Sequence, residues 1–422
     1  MTKLRFYNKK EPFSYIIFGF SLWLLAELLA ALFETQIPEA FVKSIGWYYI
    51  LKGFLKSYNG KCPFRGFYKF MFMFYLLLCA IMIARGYMID YPYQWISTQG
   101  MINYHFFQIY YILPYLITLI VFIPVEKYNF SWIIRNAKWL SLILLAIFIL
   151  FLPKIILSAQ MEARGIGDES TRHFGTGFVL VFALMSFIVL FKKYTPTKIW
   201  WLYTVVLIMT LLIYAIAGRR GSSVTLSTLL FFNFYFFIKS RRKNRWIGYL
   251  TLIGLVIGCV YLYFSSSLFD FIQQRGLEDT RSRVDESLLS QMSESELIFG
   301  KGLNGRYYHP LRMDDYLLGW RYGTETGFYN IVLKGGYLMA FIYVYLLFIP
   351  ALKGLFKSKN MFCKAGGFYI LLSLWELYPF GWLSFSLKFL AIWMFVVCCQ
   401  SKRIRQLNDE QIKVLFFRNI DS

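Results

Sequence analysis

SSSLFDFIQQRGLEDTRSRVDESLLSQMSESELIFGKGLNGRYYHPLRMDDYLLGWRYGTETG, residues 265–327, is a polar stretch set between two apolar walls. The walls are Trp246–Phe264 and Phe328–Pro350, each long enough to cross a bilayer as a helix. Elsewhere the connections between apolar runs are short. A connection of this length, with several arginines and its own helix and turn signals, reads as a working segment rather than a link.

The rest of the chain supports membrane walls. Of 422 residues, 58% are hydrophobic, 21% aromatic and only 16% charged, more apolar surface than a soluble fold of this size can hide. Backbone groups in lipid must be satisfied within their own element, and runs of about 18–24 residues suit helices rather than barrel strands. The chain therefore reads as an all-α polytopic membrane protein. Phe13–Phe33 is too long for the apolar core of a cleaved signal peptide and no small-residue cleavage site follows, so it reads as a first span.

A net charge of +22 would suit nucleic acid were it not patterned. Lys and Arg are dense at 3–10, 52–69, 127–138, 192–198, 239–245, 353–364 and 402–418, and these patches alternate with segments poorer in positive charge. That alternation is the positive-inside signature, and it makes anionic inner-leaflet lipid, not nucleic acid, the partner of the excess. With the patches inside, the spans are 13–33, 40–57, 67–84, 101–124, 138–157, 174–191, 199–217, 221–238, 246–264, 328–350, 365–378 and 380–399. The expected topology is about twelve transmembrane helices, nine in 1–264 and three in 328–399. One large, partly helical periplasmic loop occupies 265–327, and both termini are cytoplasmic. Residues 400–422 form an amphipathic tail whose Leu407, Val414, Leu415 and Phe416 suit the inner leaflet. Internal repeats of the kind that build transporters are not evident.

None of the six cysteines falls in the long loop and no pair has metal spacing with a nearby histidine, so neither a disulfide framework nor a Cys/His zinc site is expected. No metal and no cofactor is called for. Of the ionisable residues within spans, Glu27 in the first and Lys388 in the last stand out. They suit either a mutual pair across the bundle or, for Lys388, a reach toward a polar outer cavity.

Arg219 and Arg220, in AGRRGSS between the seventh and eighth spans, oppose the charge bias of the chain by facing outward. Either they hold outer-leaflet headgroups, or they form a fixed anion site of planar donor forks suited to phosphate, which Gly218 and Gly221 let the backbone approach. The loop carries Arg275, Arg281, Arg283, Lys301, Arg306, Arg312 and Arg321 against ten carboxylates, so many of these cations are expected in ion pairs. Residues 281–292 have the pattern of an amphipathic helix, with Arg281 and Asp285 spaced to pair. His309 and Glu325 are the two candidates to accept a proton from a sugar hydroxyl, histidine by its ordinary pKa and the carboxylate by tuning. Asp314-Asp315 is too isolated to suggest a divalent-metal site.

This arrangement resembles the O-antigen polymerase and O-antigen ligase superfamily. The matching pieces are GRRGSS at 218–223, RSRVDESLL at 281–289, FGKGL at 299–303 and ETGFYNIVLKGG at 325–336. The likeness covers roughly 200–345 in detail and the remainder by topology. It implies a GT-C-like bundle in a bacterial inner (cytoplasmic) membrane, with its active site on the periplasmic side. It also implies an oligosaccharide on undecaprenyl pyrophosphate as donor, with the membrane lipid around it and a chain-length regulator as a possible partner. Arg220 matches the arginine before glycine, and Arg283, or failing that Arg281, the loop arginine. The pair would stabilise charge on the departing pyrophosphate, without metal, while an acceptor hydroxyl inverts the anomeric carbon. Arg219, Arg281, Arg306, Arg312, Arg321, Tyr308 and Trp320 would contact substrate, Tyr307 and Tyr322 adding further ring faces. Where a ligase-like histidine would precede asparagine, this chain has Thr324-Glu325.

Three functions follow in order of fit. The first is polymerisation of lipid-linked repeat units into a surface polysaccharide, O-antigen or capsule. The second is a ligase that transfers the polysaccharide to lipid A core or protein. The third, from another class, is a flippase or other transporter of lipid-linked sugar.

Overall fold

The computed structural model describes residues 11–33, 36–88, 109–163, 178–240, 282–309, 319–378 and 381–418, with 246, 250 and 253 singly. The helices are α1 (Pro12–Phe33), α2 (Gln36–Ser57), α3 (Gly66–Met88), α4 (Leu113–Leu116, continuing as a 3-10 turn, Ile117–Phe122) and α5 (Phe130–Ala163). Next come α6 (Phe178–Ala183, followed by a 3-10 turn, Ser186–Phe191), α7 (Thr197–Ile216) and α8 (Arg220–Ser240). The loop contributes α9 (Ser282–Leu289), α10 (Glu294–Phe299) and a two-stranded antiparallel ribbon, β1 (Tyr307–Tyr308) with β2 (Trp320–Arg321). After it run α11 (Gly327–Phe356), α12 (Met361–Glu376), α13 (Leu387–Gln400), α14 (Lys402–Gln406) and α15 (Asp409–Phe416).

The protein is an all-α membrane protein. Among the described residues six helices are long and apolar enough to cross a membrane: α1, α3, α5, α7, α8 and α11. The sequence-predicted span 246–264 and the loop before Ser282 lie almost wholly outside the described residues. Several other spans differ from their predicted form. The stretch 101–124 is broken where it is described, a single α-turn passing into 3-10 helix, and 174–191 breaks the same way after Ala183. The stretch 380–399 becomes helical only at Leu387, and the residues before it, Leu383–Ser386, are buried without regular structure. Hydropathy could not separate these cases, because a buried extended segment and a buried helix are equally apolar. At membrane depth such backbone persists only where protein covers it or a cavity receives it. Here protein covers it: the Phe385 amide donates to Ile109 O at 2.7 Å, and its ring packs on Phe20, Trp23 and Trp47.

The core is built around α13. From Leu387 to Cys399 every residue but Lys388 is buried, so a helix of 14 residues, too short to span, is wrapped by its neighbours instead. Trp393 packs against Phe72 and Tyr75 of α3 and Tyr343 of α11.

Basic patches far apart in sequence gather at one end. Lys127 donates to Ser57 O at 2.9 Å, Arg403 pairs with Glu126 at 2.9 Å and Lys193 with Asp409 at 2.5 Å. The tail packs there as well: Ile412, Leu415 and Phe416 are buried, Phe416 against Phe130 and Phe362, whereas Val414 is exposed. Most of the apolar face predicted for the leaflet is thus covered by the protein itself. Asp409 anchors it, accepting from Tyr194 at 2.5 Å and from the Met361 amide at 2.7 Å.

The opposite end carries the loop, and a joint fastens it there. Helix α11 breaks at Gly336, with φ 75° and ψ 175°, and α10 stops at Gly300 with nearly the same angles. Only glycine adopts that region readily. The two breaks face each other: a β-carbon on Gly336 would collide with the Ile298 carbonyl, and one on Gly300 with the Lys334 carbonyl. The break frees the Leu333 and Lys334 carbonyls, which accept from Lys301 N (2.7 Å) and Gly302 N (2.9 Å). FGKGL and LKGG, read separately in the sequence, are the two halves of one joint. Asn304 completes it, donating to Gly86 O at 2.5 Å and accepting from the Tyr111 hydroxyl.

Candidate functional site

The described part of the loop, 282–309 and 319–327, packs over this joint. Val284 and Leu288 form the buried face of α9, as the amphipathic pattern requires, and a capping box between Ser293 and Glu296 starts α10. Gln291 and Ser287 hold the ribbon: Gln291 Nε2 donates to Tyr308 O at 2.8 Å, Gln291 Oε1 accepts from Tyr308 N at 2.8 Å, and Ser287 Oγ donates to Tyr308 O at 3.0 Å. Asp285 accepts a hydrogen bond from Thr326 Oγ1 at 2.8 Å, which ties α9 to the start of α11.

Five polar side chains converge here. Burial pushes the Tyr307 hydroxyl up to about 12, against the pull of Arg321, while Asp285 and Glu325 add to the rise. Partial burial, and then the charge of Arg321, hold the His309 imidazole below its usual range, with Glu325 acting the other way. His309, Arg321 and Glu325 therefore share one electrostatic neighbourhood around Tyr307. The His309 amide closes the ribbon on Gly319 O at 2.8 Å. Trp320 already has partners: Arg306 lies over its ring at 4.4 Å and Tyr308 meets it edge-on at 5.7 Å. Arg283 stands in the first turn of α9, whereas Arg281, Arg312 and the Asp314-Asp315 pair lie outside the described residues.

Arg219 and Arg220 sit elsewhere, at the tight turn from α7 into α8. Gly218 turns the chain with φ 71°, Arg219 is exposed, and Arg220 is half-buried as the first residue of α8. The first turn of α8 opens on a cavity of about 330 Å³ inside the bundle, lined on that side by Gly221, Ser222 and Thr225. The positive end of the α8 dipole therefore faces a space with room for an anion. The opposite wall is formed by Glu376 at the end of α12, Trp382 and Ser384 of the connection that follows, and Lys388 at the start of α13, with Tyr110 beside them.

Lys388 and Glu376 form a short ion pair on this wall, each side chain 15% exposed. The pairing of Lys388 with Glu27 considered from the sequence does not occur. Glu27 pairs instead with Lys43 of α2 at 2.7 Å, and Lys43 also binds Glu39 one helical turn away. Lys388 does line a cavity, but most of that lining is apolar, with Leu180, Leu184, Leu226 and Phe389 among it. Glu376 was missed because it closes an apolar run and falls twelve positions from its partner, a spacing that nothing in the sequence singles out.

A side-chain hydrogen bond and a backbone contact join loop and cavity. Trp382 Nε1 donates to Thr324 O at 2.7 Å, so the residue just before Glu325 is fixed to the ring that walls the cavity. Gly327 packs directly on the Gly381 backbone beside it. Of the site residues expected from the sequence, His309, Arg321 and Glu325 thus form one cluster and Arg219 and Arg220 flank a second, with Trp382 between them. Comparison with protein-family models, with curated proteins and with solved structures finds no match to this chain.

Proposed function

We propose that the protein is an inner-membrane glycosyltransferase that polymerises oligosaccharide repeat units carried on undecaprenyl pyrophosphate. The loop end faces the periplasm in this reading, the basic end the cytoplasm, and the chain crosses the membrane about twelve times. The observation that carries the reading is the shared cavity: Gly221 and Ser222 of the GRRGSS turn and Trp382, which is bound to the loop exit, wall the same space. Pyrophosphate, its lipid running out between helices, binds between Arg219, Arg220 and the start of α8, with Arg283 as the clamping arginine from the loop. The guanidinium forks take up the charge that grows on the leaving group. The acceptor sugar enters from the loop side and its hydroxyl attacks the anomeric carbon opposite the leaving group, with inversion.

Deleting the gene tests this. A polymerase loss leaves single repeat units on the cell surface. Loss of a ligase leaves long chains on carrier lipid, which would contradict the reading. A transporter, the third reading, is favoured by one observation: two ion pairs, Glu27–Lys43 and Glu376–Lys388, lie within the helices, and a transport path needs such groups. Deleting a transporter strands repeat units on the cytoplasmic face, where they never reach the surface.

A further inference from the structure

We infer that the cavity is the acceptor-sugar site and that Glu376 receives the proton of the attacking hydroxyl; this rests on the polymerase reading above. The geometry points there rather than to the loop carboxylate. Glu376 ends α12 and Trp382 lies in the irregular connection that follows it, and both line the cavity that the start of α8 opens on. Backbone of this kind at membrane depth is kept where it is covered or lines a cavity, and here it does both.

The carboxylate is half engaged. Lys388 holds one oxygen, Oε2, and among the described residues Glu376 Oε1 accepts no hydrogen bond. One oxygen is therefore fixed by an ammonium while the other is left for a ligand. Trp382 supplies the apolar platform that a pyranose needs. Its ring is oriented by the bond from Nε1 to Thr324 O, 2.7 Å, and by Tyr110 packed at right angles, 5.7 Å between centroids. Ser222 and Thr225 bring hydroxyls to the far wall, and about 330 Å³ accommodates a sugar ring.

The step balances without another reactant. The acceptor O–H proton passes to Glu376 as the new O–C1 bond forms. The C1–O bond to the carrier breaks, and its electron pair stays on the pyrophosphate beside Arg219 and Arg220. Glu376 then returns the proton to water as the product leaves. Lys388 acts only by positioning the carboxylate.

The test uses the full-length protein in proteoliposomes with undecaprenyl-pyrophosphate-linked repeat units, reading the rate of chain extension and the KM for the donor. Glu376→Gln should slow extension by about 100-fold or more with the donor KM unchanged, the range expected for loss of a proton acceptor. Glu376→Asp keeps the charge and the ion pair but withdraws the oxygen by one methylene, and should slow extension at least roughly tenfold. The double variant Glu376→Gln/Lys388→Met leaves no unpaired buried charge. It should remain as slow as Glu376→Gln. A purely structural ion pair predicts instead that the double variant recovers and that Glu376→Asp matches wild type, and either result overturns the assignment. Wild-type protein that leaves the donor unextended overturns the polymerase reading itself, a different outcome in the same assay.

Discussion

Replacing Gly336 by alanine should unfasten the loop from the bundle. Its backbone lies in a region that costs a side-chain-bearing residue about 1–3 kcal/mol, before any clash. The added methyl also meets the Ile298 carbonyl, so α10 must withdraw and release the bonds from Lys301 N and Gly302 N. Those bonds contribute about 1 kcal/mol each. Together the joint should be weakened by about 3–5 kcal/mol, or roughly 150- to 4,000-fold in its opening equilibrium. Hydrogen exchange of a peptide covering 299–305 reads that equilibrium directly, in detergent or nanodiscs. The helices around α13 should keep their protection, because the joint lies at one end of the bundle. Unchanged protection of the Lys301 and Gly302 amides in the Gly336→Ala variant would refute the reasoning.

Further outcomes follow from the charged groups. Arg220→Ala or Arg283→Ala should abolish polymer while the protein inserts at its normal level, and Arg→Lys should largely fail, because a point charge cannot make two planar contacts to phosphate. Headgroup anchoring predicts the reverse, since lysine snorkels equally well, and long polymer from both lysine variants excludes the anion clamp. His309 holds its proton less tightly folded than unfolded, so its contribution is intact above the ordinary value near 6.5 and declines as pH falls from there toward the lowered native value. Thermal midpoints of wild type should therefore drop on acidification relative to His309→Phe, and parallel curves would count against a depressed histidine. For Asp409, burial raises the pKa but the hydrogen bonds from Lys193, Tyr194 and the Met361 amide outweigh it and lower it. Its contribution is thus complete at neutral pH and lost only as pH falls through the lowered native value. Asp409→Asn should loosen the tail by about 1.5–3 kcal/mol, seen as faster proteolytic release of the segment after Leu407.

Helices were legible wherever composition alone decides them. The expected spans 138–157 and 328–350 lie within the helices Phe130–Ala163 and Gly327–Phe356, the second broken at Gly336. What escaped the sequence was the interruption of apolar runs. WLSFS at 382–386 falls inside an expected span, yet it has no regular structure, and Phe385 is buried against Ile109 and the α1–α2 aromatics. The tail shows the same limit, because an amphipathic pattern does not say whether lipid or protein covers the apolar face. In the candidate site, the residue types of the arginine turn, His309, Arg321 and Glu325 were visible, and the structure groups the last three. The partners were not: Glu376 with Lys388, Trp382 with Thr324, and FGKGL with LKGG are long-range pairings that local spacing does not encode.

The most direct measurement places the purified protein in vesicles with a single lipid-linked repeat unit and resolves the carrier-linked products by mass. The polymerase reading predicts a ladder rising by one repeat unit per rung, with one free undecaprenyl pyrophosphate released for each linkage formed and inverted anomeric configuration at every new bond. Repeat units that stay single, whether bound in place or moved across the bilayer, would contradict it.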